Sequence, residues 1–151
     1  MASPLARLRK LCLAFPEAHE VEAWGAPTFR VRNKLFAMYA APDDHHGGGR
    51  PGIWIKSTHV NQDLMLQSDG DRFFFPPYVG PSGWIGVYLD ASPDWQIVAE
   101  ILRDGYVLTA PRRVAALLDR PATAASGRTG SGRTGSGKTA SGKPKARPKR
   151  R

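Results

Sequence analysis

The sequence predicts an α+β domain, an antiparallel sheet covered by helices on one face, followed by a basic tail that has no core of its own. Three observations carry this prediction. Apolar residues recur at three-and-four spacing near both ends of the first 120 residues, and between them the period falls to two. Beyond Pro121 apolar residues almost vanish.

Ser3 and Pro4 supply a cap and a proline at the first helical position, and Leu5, Leu8, Leu11, Cys12 and Phe15 make one apolar face, so a helix is expected up to Pro16. His19, with Glu17, Glu20 and Glu22, is a polar approach to the sheet. In Thr28-Phe29-Arg30-Val31-Arg32 apolar and basic side chains alternate, which puts Phe29 and Val31 on one face and Arg30 and Arg32 on the other. Asn33-Lys34 is the expected tight turn into a strand from Leu35 to Tyr39, which completes a hairpin. A glycine-rich loop over residues 42–52 leads to a strand over residues 52–56. Residues 58–68 can form a short helix with Val60, Leu64 and Met65 on its buried side. RFFFPPYVG, residues 72–80, holds too much proline for a central strand and reads as an ordered aromatic loop across the core. Residues 84–89 return to strand character. Ser92-Pro93 repeat the cap-and-proline start for a helix through Trp95, Val98, Ala99, Ile101 and Leu102, with Gly105 placed to end it. Tyr106 to Thr109 then reads as extended, and residues 111–118 as a last helix.

Charge divides the chain in the same place as apolarity. Nine of the 22 Lys and Arg residues lie in residues 126–151, where there is no Asp or Glu, so positions 1–125 hold 13 basic and 13 acidic residues and the whole net charge of +9 belongs to the tail. The organisation read from this is a domain over residues 1–120 and a disordered repeat tail over 121–151. The tail runs SGRTG, SGRTG, SGKTA and SGKPK before ARPKRR. Its two alanines after residue 125 cannot offset the ~1–2 kcal/mol per residue that ordering a backbone costs. Residues 132–139, GRTGSGKT, match the phosphate-binding pattern G-x-x-x-x-G-K-[ST] by letter. That loop works only between a buried strand and a helix, and here it sits among copies of its own repeat, so the match is an accident of the repeat.

The sequence points to binding and away from catalysis. The cations Arg128, Arg133, Lys138, Lys143, Lys145, Arg147, Lys149, Arg150 and Arg151 suit the neutralisation of nucleic-acid phosphates by counterion release, against the plainer reading of a solubilising tail. In the body, Arg30, Arg32 and Lys34 at the hairpin tip could clamp a phosphate backbone, or form an ordinary solvated sheet face. Arg112 and Arg113 at the start of the last helix are a second phosphate candidate. His45-His46 beside Asp43 and Asp44 lack the fixed geometry of a metal site, no serine or threonine has a nucleophile's context, and no catalytic residue, obligate metal or cofactor is expected. Phe73, Phe74, Phe75, Tyr78, Trp84 and Trp95 could stack on bases, but apolar periodicity favours core packing. Cys12, the single cysteine, excludes an internal disulfide and reads as a buried, inert thiol. No apolar run approaches the ~20 residues that span a bilayer, and the expected location is the cytoplasm, with access to the nucleoid.

Read together, AFPEAHEVEAWGAPTFRVRNKLFAMY, RFFFPPYVGPSGWIGVYLD and DGYVLTAPRRVAALL closely resemble the MmcQ/YjbR family of small bacterial proteins, over about Leu5 to Leu118. The resemblance implies a CyaY-like fold with a curved antiparallel sheet, and binding of DNA through a double wing. Its matching positions are Arg30, Lys34, Trp84, Tyr106, Pro111 and Arg112, with Asn33 standing where relatives usually carry glycine. Arg30, Arg32 and Lys34 are thereby expected to touch phosphate, Arg112 and Arg113 to support them, and Trp84 and Tyr106 to belong to the core. The expected function is that of a non-enzymatic protein binding duplex DNA by its phosphates, with the tail supplying the affinity. The alternative is a small-molecule-binding or protein-interaction module whose tail merely localises it.

Overall fold

The computed structural model describes residues 3–42, 49–90 and 92–119. The chain divides into two units, Met1–Ala115 and Ala116–Arg151. The described part of the second is one 3-10 turn, Ala116–Asp119, and every other described element belongs to the first. The tail cations from Arg128 to Arg151, and the His45-His46 pair, lie outside the described residues.

Helix α1 (Pro4–Leu13) starts as its sequence dictates: Ser3 Oγ accepts the Ala6 N–H at 3.1 Å and Pro4 takes the first position. Six strands build one antiparallel sheet: β1 (Ala18–Ala23), β2 (Ala26–Val31), β3 (Lys34–Ala40), β4 (Gly52–Ile55), β5 (Phe73–Phe74) and β6 (Ile85–Tyr88), in the order β1-β2-β3-β4-β6-β5. Helix α2 (His59–Ser68) lies between β4 and β5 in sequence, and α3 (Trp95–Thr109) and the four-residue α4 (Arg112–Ala115) follow β6. The expected α+β class with an antiparallel sheet is the observed one.

The two faces of the sheet have different fates. Helix α3 packs on β3 and β4, and α1 on β1. Between them Leu8, Phe29, Phe36, Ile55, Leu102 and Tyr106 are fully buried. Tyr106 stacks on Phe15 at 4.8 Å, meets Phe36 edge-on at 5.6 Å, and donates its hydroxyl to Pro16 O at 2.6 Å, so its polar tip is satisfied inside the core. Cys12 is buried there too, and burial pushes its thiol well above the usual range, as an inert cysteine requires. On the other face Ala26, Met38, Ala40, Trp54 and Trp84 form a separate cluster. A bulge serves both faces. Phe29 pairs with Ala37 and Arg30 with Leu35, so β3 spends one extra residue, Phe36, across that step. Phe36 thereby reaches the helices while Leu35 stays with the second cluster.

Several sequence expectations are corrected. His19, Glu20 and Glu22, read with Glu17 as a polar approach to the sheet, lie inside a full strand, because each residue of β1 finds a partner on β2. The β2–β3 turn is made by Arg32 and Asn33, not Asn33 and Lys34; both have positive φ (52° and 67°), as a two-residue type I′ turn demands. Helix α2 forms as expected, with Thr58 as its cap, but it buries Gln62 and leaves Val60 and Leu64 exposed. Helix α3 is capped by Asp94, whose carboxylate accepts from Gln96 and Ile97, in place of Ser92. It runs through Gly105 and Tyr106 to Thr109 without a break. Gly105 is there for space: a Cβ would lie 2.8 Å from both Ile55 Cγ2 and Lys56 O.

Candidate functional site

The basic residues of the hairpin do not form one row. Arg32 sits in the turn and donates through Nε to Glu17 Oε1 at 2.6 Å and through Nη2 to Oε2 at 3.4 Å. That pairing holds the Glu17 carboxyl below its usual range, with a further pull from the positive charge of Arg113. The expected shared face of Arg30 and Arg32 is therefore overturned, because the alternation ends at Val31 where the turn begins. Lys34, the first residue of β3, is exposed. Arg30 stands directly opposite Leu35 and so shares its face of the sheet. Its Nε donates to Thr28 Oγ1 at 3.1 Å, and it meets no carboxylate among the described residues. Arg112 and Arg113 are exposed at α4, and Arg113 is brought to the Glu17 end of the hairpin.

Other arginines are spent on the body's own acids. Arg9 pairs with Glu20, Arg50 with Asp90 and Arg72 with Asp69. A concavity of about 730 Å³ between α1 and α3 keeps Arg7, Lys10 and Arg103 along an apolar floor of Leu11 and Phe15, and Arg7 lies 4.9 Å over the Trp95 ring. Among the described residues no three of His, Cys, Asp and Glu gather where they could hold a metal ion. No described helix is long and apolar enough to cross a membrane.

A second concavity lies on the sheet face away from α1 and α3. It encloses about 530 Å³, a size typical of ligand sites. Its floor is Met38 from β3 and Trp54 from β4, with Leu35 at one side. Trp84 and Val79 form the wall before β6, and Trp24 and Tyr78 complete the lining. No charged side chain lines it, so whatever part of a ligand enters must be uncharged. Gln62 braces the wall from behind: its Nε2 donates to Gly80 O and to Trp84 O, each at 2.7 Å.

Tyr78 and Phe75 contradict the expectation that the aromatics here are core, and Trp24 is exposed as well. Trp24 is 66% exposed and Tyr78 73% exposed, as is Phe75 at 52%. Trp84 is buried as expected, with one side facing the cavity. Both rim aromatics also hold left-handed backbone, Trp24 at φ 55° and Tyr78 at φ 66°. For a bulky residue such a conformation costs on the order of 1–3 kcal/mol, and burial of the ring does not offset it where the ring is in water. Trp24 was absent from the sequence candidates. The signal that could have found it is Trp24-Gly25 between two strands of period two, a turn whose first position ordinarily takes Asn, Asp or Gly.

The sequence model of the family described as YjbR matches residues 13–108, which contain the hairpin and every residue lining the cavity. Among curated proteins none matches. The crystal structure of the Deinococcus radiodurans protein DR2400, a DUF419 domain, is similar with a TM-score of 0.56 at 19% identity, over 67% of this chain and 74% of that one. At that identity the likeness is one of fold.

Proposed function

We propose that this chain, which belongs to the YjbR family, is a non-enzymatic DNA-binding protein of the cytoplasm that holds the phosphate backbone chiefly through its cationic tail, with the sheet domain supplying the orienting contacts. The observation that carries this reading is the separation of charge: nine cations and no acid in residues 126–151, beside a body with equal numbers of each. A neutral body cannot gather a polyanion by its own field, and a chain segment this cationic does so through counterion release alone. Within the body Arg30 and Lys34 are the best placed to add to it, and Arg113 lies near the same hairpin. Arg32 contributes only by exchanging Glu17 for phosphate, so the expected three-residue wing is reduced to two.

The test is fluorescence anisotropy of labelled DNA with the full chain at several salt concentrations, compared with a full-length variant in which the nine tail cations are glutamine. If the tail engages about six phosphates, it contributes about −5 to the slope of log K against log salt, from roughly −0.9 per phosphate. The tail variant retains a slope of about −2 if only Arg30 and Lys34 remain in contact. A slope near zero for the full chain would overturn the proposal.

A further inference from the structure

We infer that the cavity formed by Trp24, Trp54, Tyr78 and Trp84 takes an unpaired nucleobase, so that the protein prefers single-stranded to duplex nucleic acid; this rests on the proposed binding of DNA. The argument begins with what the lining excludes. A cavity of about 530 Å³ without one charged side chain admits no phosphate, while the chain's net charge of +9 makes a polyanion its natural partner. A ligand meeting both conditions is an anionic chain that bears uncharged planar rings. Single-stranded nucleic acid is such a chain, and in a duplex the same rings are stacked and paired out of reach.

The rings are arranged for the purpose. Four of the seven lining residues carry an indole or a phenol, with Trp54 and Tyr78 centroids 6.4 Å apart and their planes inclined by 48°. Stacking needs only faces, which is why a site so poor in hydrogen-bonding side chains suits a base read without regard to sequence. The phosphate side is provided as well. Arg30 stands opposite Leu35 on the same sheet face, so a cation flanks the cavity that no cation lines. The backbone strain points the same way. Trp24 and Tyr78 hold left-handed conformations with their rings mostly in water, a combination that folding alone does not explain.

That strain also yields a variant that folds. Asn accepts positive φ better than Trp or Tyr, so Trp24→Asn and Tyr78→Asn remove a ring while relieving the backbone. The experiment titrates the full chain with a 12-nucleotide oligothymidylate, with an abasic oligodeoxynucleotide of the same length, and with a 12-base-pair duplex, following anisotropy and tryptophan emission together. The wild type is expected to bind oligothymidylate with quenching of tryptophan, and roughly 5- to 150-fold more tightly than the abasic strand, the range that one stacked base supplies. Each Asn variant is expected to lose a comparable factor for oligothymidylate, to keep its affinity for the abasic strand, and to unfold no earlier than the wild type. Equal affinity for oligothymidylate and the abasic strand, or Asn variants that bind oligothymidylate like the wild type, would overturn the inference and leave phosphate binding standing. Failure to bind any of the three strands would overturn both.

Discussion

Replacing Gln62 by methionine tests what holds the cavity wall in place. Gln62 is 7% exposed and is the one buried residue of α2. Its amide donates to Gly80 O and Trp84 O, which bracket the segment leading into β6. The two carbonyls fare differently when it is lost. Gly80 O keeps the Gly83 N–H at 2.9 Å, so there the loss is that of an ordinary bond, about 0.5–1.5 kcal/mol. Trp84 O is stripped of this donor beside a side chain that is 8% exposed, at about 1–3 kcal/mol. Methionine has nearly the volume of glutamine, so no cavity cost enters. The expected destabilisation is about 2–4 kcal/mol, or roughly 8–16 °C in Tm for a domain of this size. Guanidinium unfolding followed by far-UV circular dichroism would measure it, provided that the slope m is unchanged. A loss below about 0.5 kcal/mol would refute the reasoning, because it would mean that water or a shifted neighbour satisfies Trp84 O without cost.

Gly105→Ala pits propensity against packing: alanine gains about 1 kcal/mol inside a helix, but its Cβ would meet the backbone oxygen Lys56 O at 2.8 Å, so a net loss of about 1–3 kcal/mol is expected in thermal unfolding. Glu17→Gln releases Arg32 from its carboxylate, and the salt slope of DNA binding is expected to steepen by about 0.9, one more phosphate, with the Arg32→Gln variant unaffected by the same change. Glu17 and Asp90 both have carboxyls held below their usual range, by hydrogen bonds from Arg32 and Arg50. Their contribution to stability is therefore complete above the unfolded values of about 4.3 and 3.9 and is lost as pH falls through the lower folded ones. Denaturation midpoints measured from pH 7 to pH 3 should hold level for this pair until about pH 4.5 and then fall, less steeply in the Glu17→Gln, Asp90→Asn double variant.

What could be read in the sequence was what neighbours in sequence decide. The cap at Ser3, the proline after it and the alternation from Thr28 to Val31 all act within a few residues, and each appears where the local rule puts it. The misreadings lie where distant residues decide. Gly105 satisfies the rule for ending a helix, yet it is glycine because β4 passes too close for a side chain. Val60 and Leu64 of α2 stay exposed while Met65 and Leu66 are half-buried, and the helix turns Gln62 fully inward, where its amide meets two carbonyls of a segment some twenty residues away.

The candidate site was hidden for a different reason, and that reason is itself informative. Turn chemistry assigns Asn, Asp or Gly to the first position of a two-residue hairpin, and this chain breaks the rule twice, with Trp24 before Gly25 and Arg32 before Asn33. Tyr78 also holds positive φ, in the loop before β6. All three are exposed, so core packing does not compensate the strain. Glu17 and Ser92 hold positive φ as well, and what sets Trp24 and Tyr78 apart is a large ring left mostly in water, which points to a requirement imposed from outside the fold. Rings to stack on a base and a guanidinium poised to trade a carboxylate for a phosphate are residue types that one partner would require together. A variant with Asn at positions 24, 32 and 78 should consequently be more stable than the natural chain and bind single-stranded DNA worse. If it were instead less stable, the three left-handed residues would be serving the fold, and the case for a ligand at this face would lose its second support.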